Sequence, residues 1–192
     1  MGRFAFMLVA LAASGATITM ALTDAHARPA STGWYAEGGF GAVTFLPAAA
    51  SSTNTGPSIN LRIGRDLVSW FSFGVSLAAS SHEATVPAPP EGEWFQLYRG
   101  GADARLGGRI DRIAVFVEGG ATLALISSNI LGKVMITEPG ESFALAFHAG
   151  GGLEYQLENR HYAFGAAVDA FLIPQFDATK AVDSRLYLRY TY

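Results

Sequence analysis

The sequence contains no cysteine, which excludes a disulfide framework and a lipid-modified N-terminal cysteine. Charged residues make up only 15% of its 192 residues, and the net charge of −3 excludes the basic footprint of a nucleic-acid-binding protein. Beyond Leu22 no apolar run is long enough to form a membrane-spanning helix. The mean hydropathy is nevertheless +0.25, which is high for a secreted globular protein. High hydropathy without a helical span is typical of a transmembrane β-barrel, in which only every second strand residue faces lipid.

The N-terminal segment has the pattern of a secretory signal. A basic start at Arg3 precedes an unbroken apolar run from Phe4 to Ala13, and Ala25-His26-Ala27 supplies the small-x-small pattern of a signal peptidase site. We therefore expect a cleaved signal peptide at 1–27 and a single mature domain at 28–192. The alternative, a retained membrane anchor, is disfavoured because small polar residues dilute the second half of the apolar stretch.

Eight windows alternate between apolar and polar side chains with a period of two, the pattern of strands with one apolar face. These windows are Trp34–Phe45, Ile59–Arg65, Trp70–Ala79, Trp94–Gly107, Arg112–Ala124, Ser142–Leu157, Tyr162–Ile173 and Ser184–Tyr192. Long connections at Leu46–Ser58, Ser80–Glu93, Leu125–Glu141 and Pro174–Asp183 alternate with tight ones. The sequence thus predicts an all-β, eight-stranded antiparallel up-and-down transmembrane barrel with short periplasmic turns and four longer outer loops.

The last window ends on an aromatic residue, and its apolar face consists of Leu186, Leu188, Tyr190 and Tyr192. This ending resembles the C-terminal assembly signal of bacterial outer-membrane barrels. Together with the Gly- and aromatic-rich segment from Gly33 to Gly41, it makes the chain resemble the small eight-stranded outer-membrane proteins of the OmpA membrane-domain and OmpX kind. The resemblance implies a Gram-negative outer-membrane location, contact with outer-membrane lipid and lipopolysaccharide, and insertion by the barrel-assembly machinery.

Aromatic residues cluster at both ends of the predicted strands. We expect them to form the two girdles at the lipid–water boundaries that flank the apolar band of such barrels. The expected girdle residues are Trp34, Trp70, Tyr155, Tyr162 and Tyr192 at the short-turn ends, with Trp94, Phe143, Phe45 and Phe171 at the long-loop ends.

The polar faces of the windows carry similar numbers of acidic and basic residues among small ones. An eight-stranded barrel is barely wide enough for its own side chains, and unpaired buried charges are costly, so we expect these charges to pair across the lumen. The expected network comprises Glu37, Arg62, Arg99, Asp103, Arg105, Glu118, His148, Glu154, Asp169, Arg185 and Arg189. A plugged lumen predicts an envelope scaffold or surface-contact protein, which would meet any protein partner at its outer loops. The alternative is a small pore for ions or solutes.

The sequence predicts no catalytic, cofactor-binding or metal site. Two enzyme types share the architecture, a lipid A deacylase with a His-x-Ser pair and a palmitoyltransferase with His, Asp and Ser near the outer loops. Neither His148 nor His161 has a serine at that spacing, and no Asp accompanies His82 in its predicted loop, where we expect a solvated side chain. A second alternative is a soluble periplasmic lipocalin-like carrier, whose apolar face would point inward.

Overall fold

A computed structural model describes residues 32–46, 53–84, 93–127, 143–158, 161–176 and 179–192. These residues form eight strands, β1 (Trp34–Phe45), β2 (Gly56–Val68), β3 (Phe71–Ala84), β4 (Glu93–Ile110), β5 (Ile113–Ile126), β6 (Phe143–Gln156), β7 (Tyr162–Ile173) and β8 (Thr179–Thr191). Each strand pairs antiparallel with the next, and β1 pairs with β8 to close the barrel. The predicted fold class is therefore confirmed, whereas the predicted signal peptide lies outside the described residues.

The alternation of the sequence sets which face of each strand points outward. On β2, Ile59, Leu61 and Ile63 are exposed on the outer surface, whereas Ser58 and Arg62 are buried inside. A slip of one residue would turn every side chain of a strand to the other face, so the apolar outer positions fix the register.

The register also places opposite charges beside each other within the lumen. Glu37 on β1 lies opposite Arg62 on β2 and opposite Arg189 on β8. Arg105 on β4 lies opposite Glu118 on β5. Pairing of the strands thus brings the side chains of one charge cluster to the same height in the barrel.

Two of the connections at one end of the barrel are tight hairpin turns. Ser69 and Trp70 join β2 to β3, and Asp111 and Arg112 join β4 to β5. Asp111 has a φ of 54°, a left-handed conformation that aspartate tolerates better than most residues and that short hairpins require. We call this the short-turn end, and the opposite end the loop end.

The connections at the loop end are shorter than expected because the strands extend further. They comprise 46–55, 85–92, 127–142 and 174–178. The last of these is no longer than the 157–161 connection at the short-turn end, so the expectation of four longer outer loops holds for three of them. β8 begins at Thr179, earlier than predicted, because it continues its ladder with β7 through Lys180.

In the part of the chain that the structure describes, no helix is long and apolar enough to cross a membrane.

Candidate functional site

Glu118 on β5 lies at the centre of the charged part of the lumen. Its Oε2 accepts hydrogen bonds from Arg62 Nη1 at 2.9 Å and from Arg105 Nη2 at 3.0 Å, and its Oε1 accepts one from Arg185. The glutamate is buried, so the three guanidinium groups replace the water that would otherwise solvate it. One carboxylate thus links β5 to three other strands, β2, β4 and β8.

Glu37 on β1 forms a second centre next to the first. Arg105 donates to both of its oxygens, through Nη1 at 2.9 Å and Nη2 at 3.1 Å. Arg189 also donates to Oε1 at 3.2 Å. A two-bond contact between a guanidinium and a carboxylate is a strong and directional interaction. Because Arg105 contacts both Glu37 and Glu118, the two centres form one cluster.

The remaining charges of the lumen pair around this cluster. The further ion pairs are Arg62–Asp103, Arg185–Asp169, Arg99–Asp183, Arg109–Glu154 and Arg189–Asp66. The Arg62–Asp103 contact lacks hydrogen-bond geometry, whereas Arg109 donates to Glu154 at 2.9 Å. Of the eleven residues expected in the network, ten form ion pairs. The eleventh, His148, forms none with the residues that the structure describes.

Sequence reasoning missed three members of the network, Asp66, Arg109 and Asp183, because it placed them in connections. Each of the three lies just outside a predicted strand and two residues from its nearest inward-facing position. Extending the period-two pattern of each strand by two residues would therefore have placed them in the lumen. Asp183 is almost completely buried and accepts hydrogen bonds from Arg99 and from Ser58.

His148 lines a cavity of about 50 Å³ beside the charge cluster, together with Asp103, Asp169 and Arg99. The Asp169 Oδ1 and Arg99 Nε atoms are buried without a hydrogen-bond partner. A space of this size holds a few water molecules, which can both donate to the aspartate and accept from the arginine. Among the described residues, no group of three His, Asp or Glu side chains is arranged to hold a metal ion.

An apolar layer fills the lumen at the loop end, above the charges. Its members are Val43, Phe45, Ala84, Phe95, Leu97, Ala124, Ala144, Ala146, Phe171, Ile173 and Ala181. The expectation that Phe45 and Phe171 belong to a membrane girdle is wrong, because both rings are buried inside the barrel. The Phe45 ring lies 6.4 Å from that of Phe95, and the Arg99 guanidinium lies 4.2 Å from the Phe171 ring.

His82 lies within this layer, so the expectation of a solvated loop histidine is wrong. β3 continues to Ala84 and turns His82 inward, where it is completely buried between the rings of Phe45 and Phe95. Its Nε2 lies 2.9 Å from Ser80 Oγ and its Nδ1 lies 3.2 Å from the Asn54 carbonyl oxygen. Both ring nitrogens therefore have partners at the loop end of the lumen.

The outer surface of the barrel is a continuous apolar belt. The residues expected in the girdles, Trp34, Trp70, Trp94, Phe143, Tyr155, Tyr162 and Tyr192, all lie exposed at or next to strand ends. Leu186 and Leu188 of the last strand also face outward. A belt of this extent is not stable in water but suits lipid. The soluble-carrier alternative is therefore wrong, because it requires the apolar face to point inward.

This combination of a closed eight-stranded barrel, an apolar outer belt and a charged interior defines the small outer-membrane β-barrels, and the cell outer membrane is the location that the fold implies. Solved structures with the same fold include Neisserial surface protein A, with a TM-score of 0.62 and 12% identity over 84% of this chain and 98% of that protein. OprG from Pseudomonas aeruginosa has a TM-score of 0.54 and 14% identity, covering 84% and 96%. Ail from Yersinia pestis has a TM-score of 0.51 and 15% identity, covering 84% and 99%. No family model and no curated protein sequence matches the chain.

The apolar belt leads to a prediction about fractionation. The folded chain is expected to co-fractionate with the outer membrane. It is also expected to migrate faster on SDS gels when unheated than after boiling. The reason is that the closed strand ladder resists SDS until heat opens it. The measurement is a gel of membrane fractions with a soluble periplasmic protein as the control. Recovery of the folded chain in the soluble fraction would contradict the prediction.

Proposed function

We propose that the protein is a non-enzymatic scaffold of the outer membrane that makes contacts at the cell surface and does not conduct ions. The observation that carries the proposal is the closure of the lumen at two successive levels. The apolar layer occupies the loop end, and the cluster centred on Glu37 and Glu118 occupies the middle.

The two levels obstruct ions for different physical reasons. An ion that enters the apolar layer loses its hydration shell, and the polar side chains of His82 and Ser80 in that layer are already hydrogen-bonded to each other. In the middle, the arginine side chains already hold the carboxylates that would otherwise attract a cation. A cavity of about 50 Å³ beside the cluster and another of about 70 Å³ at the short-turn end each accommodate only a few water molecules.

A closed lumen leaves the outer loops as the site of action, since functional residues commonly lie on loops held by a rigid scaffold. The names of two proteins of the same fold, a Neisserial surface protein and an attachment protein of Yersinia pestis, support a surface role. The Yersinia protein was solved with a heparin analogue. A polyanion does not suit the present chain, because its 127–142 connection contains Glu138 and Glu141 but only Lys133 as a base.

The proposal predicts that the purified protein in planar bilayers shows no steady conductance above that of the bare membrane. The physical reason is that neither the apolar layer nor the ion-pair cluster leaves a continuous water column. A porin added to the same bilayer provides the positive control. A stable, ion-selective conductance of the wild type would reject the plugged scaffold and favour the pore alternative.

A second experiment tests the surface role directly. Replacing 127–142 by a short Gly/Ser connection should leave barrel assembly intact, because the replaced segment lies outside the strands. Adherence of cells that display the protein should fall to that of cells without it. Unchanged adherence would show that residues 127–142 do not make the proposed contact at the cell surface.

A further inference from the structure

Arg65 places a cation among apolar side chains of the outer belt near the short-turn end. Arg65 on β2 lies two residues from both Ile63 and Leu67, and all three side chains are exposed on the outer surface. Arg62, three residues earlier on the same strand, points inward and forms ion pairs with Asp103 and Glu118. Arg65 therefore faces the membrane rather than the lumen.

Arg65 lacks the partners that the other arginines have. Within the described part of the chain, every other arginine forms an ion pair, and the Arg65 side chain forms no ion pair, hydrogen bond or ring contact. A guanidinium that faces the centre of the hydrocarbon destabilises a barrel strongly, and this cost nearly disappears at the membrane interface. The charge must therefore lie at the headgroup level or bind an anion there.

The strand pairing places Arg65 at the level of exposed aromatic residues. Trp34 on β1 lies directly opposite it on one side, and Phe73 on β3 lies opposite on the other. Because Asp66 donates its backbone N–H to Gly33, Trp34 and Arg65 form a non-hydrogen-bonded pair, in which side chains approach most closely.

Three tyrosines continue this patch beyond Trp34 across the seam where β1 meets β8. The rings of Tyr162 and Tyr190 lie 4.9 Å apart, as do those of Tyr190 and Tyr192. The Tyr192 backbone N–H donates to the Trp34 carbonyl oxygen, which ties the tyrosines to β1. Indole and phenol groups combine an apolar body with a polar tip, which suits the boundary between acyl chains and headgroups.

We propose that Arg65, with Trp34 beside it, binds the phosphate of a phospholipid in the periplasmic leaflet of the outer membrane. The guanidinium matches a phosphate with two parallel hydrogen bonds, and the rings flank the glycerol and upper acyl region. The apolar surroundings of Arg65 favour a lipid phosphate over a free phosphate ion. Ile63, Leu67 and Phe73 are exposed beside it and can contact acyl chains, but they offer nothing to a hydrated ion. This inference rests on the proposed membrane location.

The test measures binding of short-chain phosphatidylglycerol to the detergent-purified barrel by native mass spectrometry. We expect the wild type to bind the lipid and Arg65→Gln to bind it about tenfold more weakly, because a charge-assisted contact is lost. Arg65→Lys should retain part of the affinity, since it keeps the charge but not the planar fork. Lys180→Gln removes an exposed cation at the loop end and serves as the matched control, with unchanged binding.

Two further measurements distinguish binding of a lipid phosphate from contact with acyl chains alone and from binding of a free phosphate ion. Diacylglycerol, which lacks the phosphate, should not bind, and millimolar inorganic phosphate should not displace the lipid. Equal lipid binding by wild type and Arg65→Gln, equal binding of diacylglycerol, or displacement by inorganic phosphate would each overturn the proposal. Heat-modifiable migration of every variant shows that the barrel is folded. If the wild type instead proved soluble without detergent, the membrane location itself would be wrong. That result differs from a membrane-embedded barrel that does not bind the lipid.

Discussion

Replacing Glu118 by alanine is expected to lower the free energy of unfolding by about 3–5 kcal/mol, because it leaves buried guanidinium groups without their shared carboxylate. Arg62, Arg105 and Arg185 all donate to this one side chain. Its side chain is only 3% exposed, so water cannot replace the lost contacts without opening the lumen. The measurement is urea unfolding of the detergent-solubilised or liposome-embedded barrel, followed by tryptophan fluorescence.

The matched control is the same substitution in an exposed ion pair at the short-turn end. Glu158 accepts a hydrogen bond from Arg112 at 3.2 Å, but its side chain is 83% exposed. Because water solvates both partners after the change, Glu158→Ala is expected to leave the urea midpoint unchanged. Equal effects of the two substitutions would show that the interior cluster does not stabilise the barrel.

Replacing Gly41 by alanine is expected to destabilise the barrel by about 3 kcal/mol, or to prevent its folding, because there is no space for a methyl group. Gly41 points into the lumen from β1 where β8 approaches closely. A Cβ there would clash with the Ser184 carbonyl oxygen and lie 2.8 Å from Arg185 Cα. Both are backbone atoms, so the two strands that close the barrel would have to move apart.

Gly38 provides the control within the same strand. It points outward, and the nearest atom to a Cβ there is a Leu61 side-chain carbon at 3.8 Å. Gly38→Ala is therefore expected to be neutral or slightly stabilising, since alanine restricts the unfolded chain more than glycine does. The readout is the fraction of heat-modifiable barrel after refolding, together with the urea midpoint. A Gly41→Ala barrel as stable as the Gly38→Ala barrel would contradict the close approach of β1 and β8.

Local alternation determined the number of strands, their approximate positions and the faces of most side chains. Ile59, Leu61 and Ile63 point outward and Arg62 points inward as the sequence indicates, because a strand must turn successive side chains to opposite faces. The same rule places charges such as Glu37 and Glu118 on the face opposite the apolar side chains, and the predicted membrane location makes that face the lumen. No tertiary information is needed for these conclusions, since the relevant residues are two positions apart.

Only the tertiary structure decided where strands end and what fills the lumen above the charges. Residue type does not distinguish Phe45 and Phe171 from girdle residues, because an apolar side chain suits both lipid and a packed interior. Alternation places Phe45 on the face of Glu37 and Phe171 on the face of Asp169, and closure of the barrel then packs both rings into one interior cluster. His82 became interior once pairing with β4 extended β3 beyond its alternating segment. The choice of ion-pair partners also depends on closure of the barrel, which brings Arg189 to Glu37 across a separation of 152 residues. Contacts at that separation follow from strand register and barrel geometry, which no local pattern of residues specifies.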